Sequence, residues 1–252
     1  MIRRFECERL AISVHETRAE AGAASAARFA ERLRAVLATQ AEASVIFASA
    51  PSQNEFTSAL CKESIDWARV TAFHMDEYVG LPAEHPASFR RYIREHLLDH
   101  VRVRAFHGIR GEADDPEAEA ARYAALLREF PPAVVALGIG ENGHLAFMDP
   151  PVCDFEDPLD VKVVELDEVC RTQQVHDGCF AELALVPERA ISLTVPVFMR
   201  TPHAAVTVPG PTKRAAVKAA IQGPVTAACP ASILRLHPDA ALFLDKDSAE
   251  WI

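Results

Sequence analysis

Nowhere in this chain do lysines and arginines gather into a basic face, and the formal net charge is −10. A nucleic-acid surface is excluded on that ground, because a phosphate backbone is held by concentrated positive charge. Any anionic ligand must be gripped by a few local groups. Absent too is an apolar run of the roughly 18 to 20 residues that a membrane span needs. The six cysteines, Cys7, Cys61, Cys153, Cys170, Cys179 and Cys229, show no Cys-x-x-Cys spacing, and the N-terminal residues do not read as a secretory leader. Reduced thiols in a cytoplasm are expected. Neither a nucleophile elbow nor a dinucleotide fingerprint occurs in a suitable context. The ten histidines lack ligand partners at helical or hairpin spacing, so neither a metal nor a cofactor is expected.

What is present suits a globular enzyme. Half of the 252 residues are hydrophobic and a quarter charged, which fits one domain spanning residues 1–252. An alanine-rich helix is expected from about Glu16 to Gln40, and further helices from near Ser52, over Pro86 to Val101, and from Pro116 toward Phe130. Continuous apolar runs mark strands at Ala43–Ala48, Val70–Phe73, Ala133–Gly138, Ala204–Val208 and Ala240–Leu244. Strands alternating with helices give an α/β fold: a doubly wound, mostly parallel sheet with helices on both faces.

Candidate chemistry sits just past the strands, where such sheets bind ligands. Asp76 follows the second strand, and partial burial there raises a carboxylate toward a useful general base. Glu77 beside it is expected to face away, and the plainer alternative is that Asp76 only caps a turn. His144 lies in the loop Gly138-Ile139-Gly140-Glu141-Asn142-Gly143-His144, with Glu141, Asn142 and Asp149 near enough in sequence to orient its ring. After the fourth strand, Lys213 is read in the first turn of a helix capped by Thr212 or its neighbour. It serves a phosphate there or is merely solvated. Ser49-Ala50-Pro51-Ser52-Gln53 is a second anion loop, weakened by having a proline and no glycine.

Phe73 to Pro86, Phe-His-Met-Asp-Glu-Tyr-Val-Gly-Leu-Pro-Ala-Glu-His-Pro, resembles the pattern of glucosamine-6-phosphate deaminases almost residue for residue. The resemblance covers nearly the whole chain and implies a Rossmann-like sheet of the sugar-phosphate isomerase type, shared with 6-phosphogluconolactonases. The lactonases usually carry Asp-Glu-Arg here and lack Gly-His-x-Ala-Phe. By this resemblance Asp76 moves a proton between carbons 2 and 1 of the opened amino sugar, and His144 opens the ring. Asn142 and Asp149 stand where the family has an aspartate and a glutamate, with Glu141 a substitute for the former. Ser49, Ala50, Ser52, Gln53 and Lys213 match its phosphate-binding elements. An arginine expected to help hold the phosphate is displaced at Arg171, with His176 or Asp177 nearer its place, and Asp160 stands where an allosteric basic residue belongs.

The resemblance implies a cofactor-free cytoplasmic enzyme that converts an amino-sugar phosphate to fructose 6-phosphate and ammonia. A sugar-phosphate lactone hydrolase and a non-catalytic sugar-phosphate sensor are the alternatives. The expected partner is a small sugar phosphate, with neither nucleic acid nor membrane. Relatives differ in assembly, so a homo-oligomer is left open.

Overall fold

The apolar runs divide their side chains between two cores. Val45, Phe47, Ala72, Val134 and Ala136 pack on one side, and Ile46, Phe73, Val135 and Leu137 on the other. This is the alternation of strands covered on both faces. A computed structural model describes residues 1–252. In chain order its main elements are β1 (Arg3–Cys7), β2 (Leu10–His15), α1 (Arg18–Thr39), β3 (Ala43–Phe47), α2 (Asn54–Leu60), β4 (Val70–His74), β5 (Asp76–Tyr78), α3 (Phe89–Ile93), β6 (Ala105–His107), α4 (Pro116–Glu129), β7 (Pro132–Leu137), β8 (Val161–Glu165), α5 (Glu168–His176), β9 (Arg189–Leu193), α6 (Val195–Arg200), β10 (His203–Val208), α7 (Arg214–Gln222) and β11 (Ala240–Asp245).

Eight strands form one sheet in the order β1-β2-β11-β10-β7-β3-β4-β6. Every pair is parallel except β1 with β2. From β3 the chain winds outward through β4 to β6, and from β7 it winds the other way through β10 to β11. The loops leaving β3 and β7 therefore part, opening a crevice at this switch point. Local chemistry sets the helix starts: Thr17 Oγ1 accepts from Glu20 N, and Asp115 Oδ1 accepts from Ala118 N ahead of Pro116.

The single-sheet expectation is incomplete. β5, β9 and β8 form a separate three-stranded antiparallel sheet. β5 is only three residues long and carries two acids, so it gives no apolar period to read. The segment Pro86–Val101 is α-helical only over Phe89–Ile93, then continues as a π-helical turn, Arg94–Leu98. The strand expected from Ala133 begins one residue earlier, with Pro132 as the first residue of β7. No helix is long and apolar enough to cross a membrane.

Candidate active site

Seven of the residues singled out in the sequence, Ser49, Ala50, Ser52, Gln53, Asp76, His144 and Lys213, line one cavity in this crevice. They arrive on loops after β3, β4, β7 and β10. Asn142 and Asp149 stand behind His144, outside the lining.

Asp76 opens β5, paired with Ser192 of β9. Strand alternation sends its carboxylate into the cavity and that of Glu77 the opposite way. Glu77 is fully buried and performs the capping considered for Asp76: it accepts hydrogen bonds from Ser88 Oγ (2.8 Å), Phe89 N (3.1 Å) and Arg90 N (3.0 Å) at the start of α3. Asp76 has no such partners, and its Oδ1 is buried without a hydrogen bond. Burial first, and the neighbouring Glu77 charge second, push its pKa well above the ordinary carboxylate value. His74, two residues earlier, is held neutral by burial, its pKa lowered to about 3. Its Nε2 accepts from Ile109 N at 2.8 Å, so it serves the fold.

His144 Nδ1 lies 2.9 Å from Asp149 Oδ1, the oxygen that Asn142 Nδ2 also reaches at 2.8 Å. Burial pushes the Asp149 carboxyl up, but His144 first, then Asn142 and the Cys170 thiol, together hold it below its ordinary value. An ionised Asp149 selects the Nδ1–H tautomer and leaves Nε2 as the acceptor. The ring rests on Gly140, where a Cβ would lie 2.2 Å from Nε2. Asn142 further fixes the loop, its Oδ1 accepting from His144 N at 3.0 Å. Ala146, which lines the cavity, takes a left-handed φ of 52°.

Glu141 does not orient His144. Its carboxylate turns to His176 Nδ1 at 3.5 Å, while its N–H donates to Gln173 Oε1 at 2.7 Å. Lys213 also departs from expectation. Pro211–Lys213 is a 3-10 turn with Gly210 as its N-cap and no side-chain cap, so Thr212 caps nothing and α7 begins at Arg214. Lys213 is 5 % exposed, lines the cavity and forms no ion pair. Burial lowers its pKa, against which Asp177 and Glu141 act. Ser49 Oγ and Gln53 Oε1 are likewise buried without partners. A buried ammonium and unmet polar atoms from two loops suit an anion.

Sequence reasoning missed several supports. Ser192 couples the two halves of the site: it pairs with Asp76 in the sheet, and its Oγ accepts from Phe147 N at 3.1 Å. Asp245 holds the Lys213 loop through Gly210 N at 3.0 Å, and an acid ending an apolar strand was the available signal. Gln173, Gln174 and Asp177 enter the cavity from α5 and its end, whereas Arg171 turns away to Leu183 O and Val186 O, each at 3.0 Å. Asp160 pairs with Arg128 and Arg200 on the surface. The histidine spacing gave no metal ligands, yet His144, Asp149 and Cys170 each place a donor atom within 4.8 Å of the other two.

The family model described as glucosamine-6-phosphate isomerases/6-phosphogluconolactonase matches residues 16–243. A glucosamine-6-phosphate deaminase of Exiguobacterium sp. is 37% identical over 190 residues, 75% of this chain and 72% of that protein. One from Listeria monocytogenes is 37% identical over 193 residues, 77% of this chain and 80% of its own length. Among solved structures, a monomeric glucosamine-6-phosphate deaminase superposes with a TM-score of 0.87 at 24% identity, covering 96% of this chain and 99% of that one. The 6-phosphogluconolactonase of Trypanosoma brucei gives 0.77 at 21% identity, covering 98% and 99%. Likeness at such identities concerns the fold.

Proposed function

This chain belongs to the family of glucosamine-6-phosphate isomerases and 6-phosphogluconolactonases, and from that premise we propose that it deaminates glucosamine 6-phosphate in the cytoplasm. One observation carries the reading: an unpartnered, charge-averse carboxylate and an Asp149-oriented histidine face the same cavity as an unpaired lysine. The relatives at 37% identity, themselves named glucosamine-6-phosphate deaminases, support it.

Lys213, Ser49, Ser52, Gln53 and the backbone at Ala50 bind the phosphate. His144 takes the anomeric hydroxyl proton on Nε2 and delivers one to the ring oxygen, opening the sugar. Asp76 removes the proton from carbon 2 and returns it to carbon 1. Its raised pKa matches this task, because a base that must also give its proton back works best with a pKa near the working pH. The resulting imine takes up water and releases ammonia, leaving fructose 6-phosphate. Asn142 and Asp149 position His144 and touch no substrate.

The test is release of ammonia and fructose 6-phosphate from glucosamine 6-phosphate by the purified chain, with Asp76→Asn and His144→Gln as controls. Both products are expected, and both are lost in the two variants. Hydrolysis of 6-phosphogluconolactone without ammonia release would select the lactonase reading. Binding of the amino sugar without any product would select the sensor.

A further inference from the structure

We propose that His144, Asp149 and Cys170 form a site for a zinc-class divalent cation, and that filling it disables the histidine. All three are buried, and one donor atom of each lies within 4.8 Å of the other two. For donors so spaced some point lies within roughly 2.8 Å of all three, so shifts of at most roughly 0.5–0.8 Å reach the bond lengths of zinc to sulfur, oxygen and nitrogen. Imidazole, carboxylate and thiol together suit zinc or cobalt and disfavour magnesium or calcium, which prefer all-oxygen shells.

The bonding of Asp149 also leaves room for a cation. Asp149 is 1 % exposed, its Oδ1 already serves His144 and Asn142, and its Oδ2 meets no nitrogen or hydroxyl donor, the Cys170 thiol being the one further group that interacts with this carboxylate. Cys170 is held in place from behind: it stands in the first turn of α5, with its N–H bonded to Asp167 Oδ1 at 2.7 Å. Burial and the nearby Asp149 push its thiol up, so without a cation the sulfur stays protonated.

On binding, bonds form to His144 Nδ1, an Asp149 oxygen and Cys170 Sγ. The thiol proton leaves to solvent. The imidazole proton leaves Nδ1 and reappears on Nε2, so the ring stays neutral and a single proton is released per ion. Nε2 then bears hydrogen toward the cavity, the reverse of the tautomer that Asp149 selects, and cannot accept a proton there.

This inference rests on the geometry of three side chains and does not depend on the identity of the sugar. The full chain, treated with chelator, is titrated with Co²⁺ and followed by absorption. We expect one equivalent to give a thiolate-to-cobalt charge-transfer band in the wild type and Cys153→Ala, and no such band in Cys170→Ala. Zn²⁺ added to the turnover assay is expected to inhibit reversibly. Its half-inhibiting concentration should rise by about 10-fold or more in Cys170→Ala, each variant being measured against its own uninhibited rate. A wild type without the band, a band that survives in Cys170→Ala, or equal zinc inhibition of both proteins overturns the proposal. A Cys170-dependent band in a protein that turns over no amino-sugar phosphate supports the site and counts only against the deaminase reading.

Discussion

Replacing Asp76 by asparagine is expected to abolish turnover and at the same time make the protein more stable. The residue is 7 % exposed, and its Oδ1 has no partner. Burial and then the charge of Glu77 raise its pKa. A folded-state pKa above the unfolded one means that the folded protein holds the proton more tightly. The cost of the charge is therefore absent below the unfolded pKa of about 3.9, and it grows as the pH rises through the folded value. Asparagine keeps the shape and carries no charge. The amide oxygen stays unpartnered, so what the substitution relieves is the extra cost of the buried charge, about 1–3 kcal/mol, and in a chain of this size each kcal/mol moves the melting midpoint by about 2–4 °C. The variant should melt roughly 2–12 °C above the wild type near pH 8, with the gap closing toward pH 4. Calorimetry at several pH values measures it. A variant that melts at or below the wild type near pH 8, or a gap that ignores pH, would refute the account of Asp76 as a base held against its own solvation.

The same raised pKa sets the acid limb of kcat/KM, which should fall away at a pH above the usual aspartate range because the base must be ionised to act; a limb at the ordinary value contradicts this. Gly140→Ala puts a methyl 2.2 Å from the His144 ring, and a ring displaced by that clash should cost about 100-fold in kcat, read by steady-state kinetics. Lys213→Met should raise KM for a phosphorylated substrate by roughly 10- to 150-fold, the equivalent of about 1.5–3 kcal/mol for a charged hydrogen bond. It should not lower the melting midpoint, since it removes a buried ammonium that has no ion pair.

Five of the eight strands of the main sheet, β3, β4, β7, β10 and β11, were legible because they are short apolar runs that bury both faces, whereas β1, β2 and β6 were not read. The small antiparallel sheet was not, because the three residues of β5 are defined by pairing with β9, more than a hundred positions away. The site shows the same division. Asp76, His144 and the loop from Ser49 to Gln53 follow directly from strand ends and meet in one cavity. The direction of each supporting side chain depended on tertiary contacts. Glu141 is nearer to His144 in sequence than Asp149 is, yet Asp149 takes the ring and Glu141 goes to His176. Thr212 has the chemistry of a cap, but the proline-led 3-10 turn moves the helix start past it. Cys170 could not have been linked to His144 by spacing, because α5 brings it in from outside the loop.

Adjacent acids with opposite duties give the segment between β4 and β5 something like a reading frame. Asp76 meets the cavity and Glu77 caps α3 only because they fall on alternate faces of one strand. Inserting or deleting one residue at Met75 would exchange their faces, turning the longer acid toward the cavity side and the shorter one away from it. An insertion of two residues would restore the assignment. Length changes here act by parity, and the order Asp-Glu decides which carboxylate meets the cavity.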